Sequence, residues 1–184
     1  MEAWVSFWGV LVIVLGVLLL VAAAGAAAWF GWQYLERRIV LRLLARAAAV
    51  EAAATALEDT VERLRSAGRA ETAAFTKDPG SPERRALHEV QGRAQMLQDE
   101  LDVMPLPRSV VPLAESLADA AYLTAREAGR ITDQDAGRAA AQKLKSLDLD
   151  LVRAYTAQAH GRVSATCEQY GVEDTAVYGG GLYL

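Results

Sequence analysis

The chain has 184 residues, 53% of them hydrophobic and 23% charged, with a net charge of −4 and a pI near 5.3. That balance speaks against a nucleic-acid binder, which needs a basic face toward a polyanion, and a single cysteine, Cys167, rules out a disulfide-stapled fold. An ordinary soluble globule is also a poor fit, because no charged residue lies between Glu2 and Glu36 and all four tryptophans fall in that stretch.

The first element is an apolar run. From Phe7 to Trp32 every residue is aliphatic, aromatic, alanine or glycine. As a helix it measures about 39 Å at 1.5 Å per residue, enough for a hydrocarbon core of about 30 Å. A helix also satisfies its own backbone polar groups in lipid. Trp4 and Trp8 mark one interface and Trp29 and Trp32 the other, about 37 Å apart along a helix axis, as a pair of aromatic belts would be. A cleavable signal is the rival reading, since Ala22 to Ala28 offers small-x-small sites. The flank before the run carries Glu2 and no lysine or arginine, and the run is longer than a signal's usual apolar core. The expectation is therefore a transmembrane span. Gly9, Gly16 and Ala23 recur every seven positions, and Ala23 with Ala27 is a small-xxx-small pair. This face is expected to pack against another transmembrane helix.

Orientation follows from the flanks. Arg37, Arg38, Arg42 and Arg46 follow the run, opposed locally by Glu36, whereas only Glu2 precedes it. The positive-inside rule then places the N-terminus outside and the body in the cytoplasm of a single-pass cell-membrane protein. Arg38, Arg42 and Arg46, spaced i, i+4, form a stripe suited to anionic lipid headgroups.

Nothing forces the helix to stop after Trp32. Gln33 to Ala74 contains no proline and one glycine, Gly68, and good helix formers dominate. The spacing predicts one rod from about Val5 to about Ala74. Val40, Leu43, Ala47, Val50, Ala54, Leu57, Val61 and Leu64 alternate by three and four, a heptad-like seam. With alanines at two of its positions, it suits close packing against a neighbour. Asp78-Pro79-Gly80-Ser81-Pro82 reads as a turn, then an N-cap serine with proline at the first helical position. A second helix is expected over Pro82–Val103, its apolar face carrying Leu87, Val90, Ala94, Leu97, Leu101 and Met104, antiparallel to the first.

Pro105, Pro107 and Pro112 interrupt the helical pattern, and the linker is expected to be extended. The hairpin brings it back toward the membrane, where Leu106, Val110 and Val111 can meet the interface or a partner. A third helix is expected over Leu113–Ala128, with Leu117, Ala121 and Tyr122 on its apolar face and Gly129 ending it. Thr132 to Asp135 resembles a capping box. It opens a final helix, or two abutting ones, from Asp133 to about Tyr170, with any break near Ser146 and an apolar face of Leu144, Leu147, Leu151, Tyr155, Ala159, Val163 and Tyr170. The tail has three glycines but also Tyr178, Leu182, Tyr183 and Leu184, which favour docking over free exposure.

The fold expected is all-α: an N-terminal transmembrane helix continuing into a cytoplasmic, alanine-rich hairpin or four-helix bundle with a thin core. Its parts are an anchor (1–35), a membrane-proximal hairpin (36–104), a proline-rich linker (105–112), a C-terminal helical segment (113–170) and a tail (171–184).

Chemistry is sparse. His160, Ser164 and Cys167 share roughly one helix face, but His160 and Cys167 stand about 10 Å apart along a helix axis, and a nucleophile needs its base in hydrogen-bond reach. Two histidines and one cysteine do not compose a zinc ligand set. Asp99, Glu100 and Asp102 suit helix solubility better than a cation site, and phosphate loops and nucleophile elbows are missing. The sequence therefore predicts a non-catalytic accessory or scaffold subunit, with no cofactor or metal. Its small-residue membrane face and its cytoplasmic helices would engage a larger integral membrane protein or complex. The alternative is a self-associating homo-oligomer organised by the seam at Leu43, Val50, Leu57, Val61 and Leu64. An enzyme using scattered carboxylates is the weakest reading. Anionic lipid headgroups are expected partners; nucleic acid is not.

Overall fold

The computed structural model describes residues 2–131 and 135–172. Among these residues the chain is all-helical: α1 Glu2–Ser66, α2 Arg69–Lys77, α3 Pro82–Val103, α4 Val111–Ala128, α5 Arg138–Lys145 and α6 Leu149–Tyr170. It divides into two compact units, Met1–Ile39 and Val40–Leu184. α1 runs through the boundary without a break in helical structure. Unit 1 is the first part of α1, and from Leu15 to Leu35 every residue is exposed.

Unit 2 is a helical bundle whose four long members are the second part of α1, α3, α4 and α6. All eight seam residues, from Val40 to Leu64, are buried, Ala47 the least so at 4% exposure. The chain's own helices cover them. Arg46 Nε meets Glu100 Oε2 at 2.7 Å, whereas Leu57, Val61 and Leu64 share a core cluster with Phe75 and Leu87. α3 therefore runs antiparallel to α1. α4 returns parallel to α1, because Leu117 shares a depression with Ala47 and Val50 while Ala128 joins the Leu57–Leu64 cluster. α6 is antiparallel again: Arg153 pairs with Glu58 and Glu62, and Ala159 and Val163 adjoin Ala47 and Val50. The result is an up-down-up-down arrangement of the kind that alternating helix signals and short connections favour.

α4 is the most enclosed helix. Its exposed residues, Pro112, Glu115, Asp119, Tyr122 and Arg126, form one stripe, and Leu113, Leu117, Ala120 and Leu123 are buried around the rest. Phe75 is the one aromatic side chain in the core among the described residues, and alanines fill many of the remaining core positions. Helices can approach closely over alanine, but each alanine removes little apolar area from water.

Several expectations need correction. The rod does not reach Ala74. α1 stops at Ser66, Gly68 adopts an extended conformation (φ −67, ψ 168), and α2 begins at Arg69. The turn lets α2 bring Phe75 to 0% exposure in the core, which a straight helix would not do. Ser81 sits at the α3 N-cap, but its hydroxyl makes no capping bond. α4 starts at Val111, two residues early, with Pro112 in its first turn. The preceding linker is not extended throughout, since Val110 N–H donates to Pro107 O at 3.1 Å. Tyr122 is 49% exposed rather than on the apolar face.

The last segment is two helices, with Ser146 the C-cap of α5 and Asp148 the N-cap of α6. Residues 135–137 are not helical and α5 starts at Arg138. The new start at Leu149 rephases the apolar face: Leu149, Val152, Ala159, Val163 and Cys167 are buried, while Leu151, Tyr155 and Tyr170 are half-buried. The proposed capping box at Thr132, Asp133 and Gln134 lies outside the described residues. So do Tyr178, Leu182, Tyr183 and Leu184 of the tail.

Candidate functional site

Two features of the chain ask for a physical explanation: the uncovered apolar surface of unit 1 and a set of buried charges at one end of unit 2. In unit 1, Val12, Leu15, Val17, Leu18, Leu19, Leu20, Val21, Trp29, Phe30 and Trp32 are between 52% and 72% exposed. With somewhat more than half of each still exposed, one such side chain forgoes roughly 1 kcal/mol, so the ten together forgo roughly 10 kcal/mol. That is comparable to the ~5–15 kcal/mol by which a folded domain is stable. Among the described residues, α1 is the one helix long and apolar enough to cross a membrane, and its apolar window is 0% buried by the chain itself.

Gly9, Gly16, Ala23 and Ala27 all lie on this helix. A Cβ added at Gly16 would meet nothing within 4 Å, and Ala23 and Ala27 are exposed. Arg37, Arg38 and Arg42 are exposed as well, and the Arg38 guanidinium lies 5.1 Å from the centroid of the Tyr34 ring. Arg46 differs from the rest of the stripe. Its ion pair with Glu100 ties α1 to α3 inside unit 2. Leu43, Val50, Leu57, Val61 and Leu64 are all committed to the unit 2 core.

The second feature lies at the end of unit 2 that holds α2 and α5, far from Val40. Arg84 is 2% exposed. Its Nε donates to Phe75 O at 2.9 Å, its Nη2 donates to Asp135 O, and its guanidinium lies 5.2 Å from the Phe75 ring centroid. Beside it Gly137 N–H donates to Thr76 O at 2.8 Å. Arg65 Nη2 donates to Leu144 O and Leu147 O, and Lys143 pairs with Asp135 at 2.7 Å.

Glu127, 1% exposed, accepts from Arg126, from Arg130 and from Asp148 N–H. Burial pushes its carboxyl pKa up. The bonds from Asp148 N–H, Arg130 and Arg126 outweigh that and hold it below the usual range. These groups close carbonyls and helix ends against one another. Each of these charges is aimed at a structural partner, and together they fasten this end of unit 2.

Sequence reasoning missed both Arg84 and Glu127, although a signal existed. Arg84 stands three residues before Leu87 on the α3 apolar stripe, and Glu127 continues the α4 stripe of Leu113, Leu117, Ala120 and Thr124. A charged residue in phase with a buried stripe marks a buried, partnered charge.

Residues weighed for chemistry do not converge. Cys167 is buried, His160 is exposed and Ser164 is half-buried. Asp99 and Asp102 are exposed, and Glu100 faces Arg46. Among the described residues, no group of histidine, cysteine and carboxylates is placed to hold a metal ion. Two open grooves flank α3 and α4. One, of about 290 Å³, is lined by Leu101, Met104, Leu106, Val111 and Ala114. The other, of about 300 Å³, is lined by Gln91, Gln95, Gln98, Tyr122 and Arg126. Comparison with known proteins gives no match to a family model, a curated protein or a solved structure.

Proposed function

We propose that the chain is a non-catalytic, single-pass accessory or scaffold subunit of a larger membrane protein complex. The observation that carries this reading is the contrast within one helix. From Leu15 to Leu35 the apolar side chains of α1 are exposed, and from Val40 onward its seam is buried. The first part needs an apolar solvent that the chain does not supply, and lipid supplies it. Arginines on one flank favour a cytoplasmic body and an external N-terminus.

Gly16, Ala23 and Ala27 give a face on which a second transmembrane helix can approach closely. Self-assembly through the seam is the weaker reading, because those side chains are already covered by α3, α4 and α6.

The test uses the full chain expressed in its native host. It should remain with membranes through carbonate washing and leave them in mild detergent with other polypeptides in fixed ratio. Replacing Gly16 and Ala23 together with leucine (G16L/A23L) should lower that recovery several-fold without changing carbonate resistance, since the space around Gly16 is open within the chain. Release by carbonate would remove the anchor, and a lone homomeric particle in detergent would favour self-assembly instead.

A further inference from the structure

Several arginines of unit 2 are held in place by acceptors. Glu100 meets Arg46, Glu58 and Glu62 meet Arg153, and the carbonyls of Leu144 and Leu147 meet Arg65. Arg38, in unit 1, is held differently. Its guanidinium carbon lies 5.1 Å from the centroid of the Tyr34 ring, one helical turn earlier, and both side chains are exposed. The ring takes one face of the guanidinium, and among the described residues no carboxylate or carbonyl takes its N–H groups. Glu36 stands about 200° round the helix from it. Arg37, about 100° away, rests on no ring among the described residues.

The pair also has a level along the helix. Measured from the point midway between the Trp4–Trp8 and Trp29–Trp32 pairs, the Tyr34 backbone stands about 24 Å along the axis and that of Arg38 about 30 Å. A bilayer with its headgroups reaches about 20–22 Å from its midplane, and a helix tilt of about 20° brings Tyr34 to about 22 Å. Helical side chains lean toward the N-terminus. Stacking on Tyr34 therefore holds the guanidinium back toward the headgroups rather than out in water.

We propose that Arg38, braced on the Tyr34 ring, binds the phosphodiester of one phospholipid headgroup. This rests on the reading of Phe7–Trp32 as a lipid-crossing helix, and it replaces a diffuse stripe of arginines with a single site. A guanidinium braced through its face keeps its in-plane N–H groups for two parallel bonds to phosphate oxygens, and loses less side-chain freedom when they form. Glu36, Arg37 and Arg38 together carry one net positive charge. The ligand is therefore the phosphate group itself, which a net-neutral phospholipid supplies, rather than a strongly anionic surface. An anchored helix meets such phosphates at very high effective concentration.

The experiment uses native mass spectrometry of the full chain in dodecyl maltoside, titrated with phosphatidylcholine or with a digalactosyl lipid that has no phosphate. Flotation of the same chains in phosphatidylcholine vesicles reports whether they are anchored. The expected result is one phosphatidylcholine retained several-fold more than the galactolipid. R38A, R38K and Y34A should lose that excess, whereas Y34F, which keeps the ring, and R37A, which removes the same charge elsewhere on the helix, should keep it. Equal retention of the two lipids, or full retention of phosphatidylcholine by R38A, overturns the site and leaves a floating anchor standing. Equal loss in R37A reduces the effect to net charge and also overturns it. Displacement of the lipid by excess inorganic phosphate assigns the site to the soluble ion instead. An R38A chain that keeps its lipid but sheds copurifying polypeptides puts a protein carboxylate on Arg38 and overturns the lipid. Failure to float overturns the anchor and this inference together.

Discussion

Glu127 offers the most direct measure of how the bundle is held closed. Its side chain is 2% exposed, whereas those of Arg126 and Arg130 are 44% and 39% exposed. Glu127→Gln keeps the shape and removes the charge. The new amide nitrogen must also face a donor, because Oε1 accepts from Arg126 and Oε2 accepts from both Arg130 and Asp148 N–H. The favourable rotamer keeps oxygen toward Arg130 and Asp148 and abandons Arg126. A hydrogen bond to a charged group contributes about 1.5–3 kcal/mol, and water can take over at the freed guanidinium, so the expected loss is about 2 kcal/mol. With a typical urea dependence, that moves the unfolding midpoint down by about 1 M.

The loss should depend on pH with a definite sign. The Glu127 pKa is held below its ordinary value of 4.5 in the folded chain. Its contribution is therefore complete above that value and disappears as pH falls through the lower, folded one. The gap between the native chain and E127Q should be full at neutral pH and close progressively below 4.5. Far-UV circular dichroism of the detergent-solubilised chain is the suitable probe, because all four tryptophans lie between Trp4 and Trp32 and are poorly placed to report on unit 2. An unchanged midpoint, or a gap that stays constant into acid, would refute the assignment of Glu127 as an ionised fastening.

Further outcomes follow from the helix ends and from Arg84. Ser81→Ala should leave the urea midpoint within error, since its hydroxyl makes no capping bond, whereas Asp148→Ala should lower stability by about 1 kcal/mol by removing the acceptor for Leu151 N–H. Equal effects would contradict the cap assignment. Arg84→Lys should be nearly as damaging as Arg84→Ala, at about 2–3 kcal/mol, because an ammonium cannot reproduce the fork that reaches Phe75 O and Asp135 O while stacking on the Phe75 ring. A lysine variant with native stability would show that charge alone suffices. Substituting Gly16 and Ala23 with leucine tests the proposed membrane face.

Much of the candidate site was legible as pattern. The apolar run, its glycine and alanine spacing and the arginines that follow are statements about composition along one helix. From Leu15 to Leu35 the helix is exposed at every residue, so that pattern passes unaltered into the structure. Arg46 shows where legibility ends: by spacing it belongs with Arg38 and Arg42, but the return of α3 places Glu100 within 2.7 Å of it. Val103 is similar, an ordinary end to an apolar stretch until the fold leaves it uncovered.

By itself the sequence determined what is local. Pro82 and the prolines after Met104 delimit α3 at Pro82–Val103, and the three-four alternation picks out the seam. Proline, capping residues and apolar period act within a turn or two, so their effect does not depend on which partner arrives. Tertiary structure alone decided that α1 turns at Gly68 so that Phe75 can reach the core. It also decided that the seam is covered by the chain's own helices, and that Arg84 and Glu127 are buried among carbonyls, an amide and guanidinium groups. Those outcomes depend on which surfaces meet and on whether every buried charge finds a partner, and residues far apart in the chain settle both.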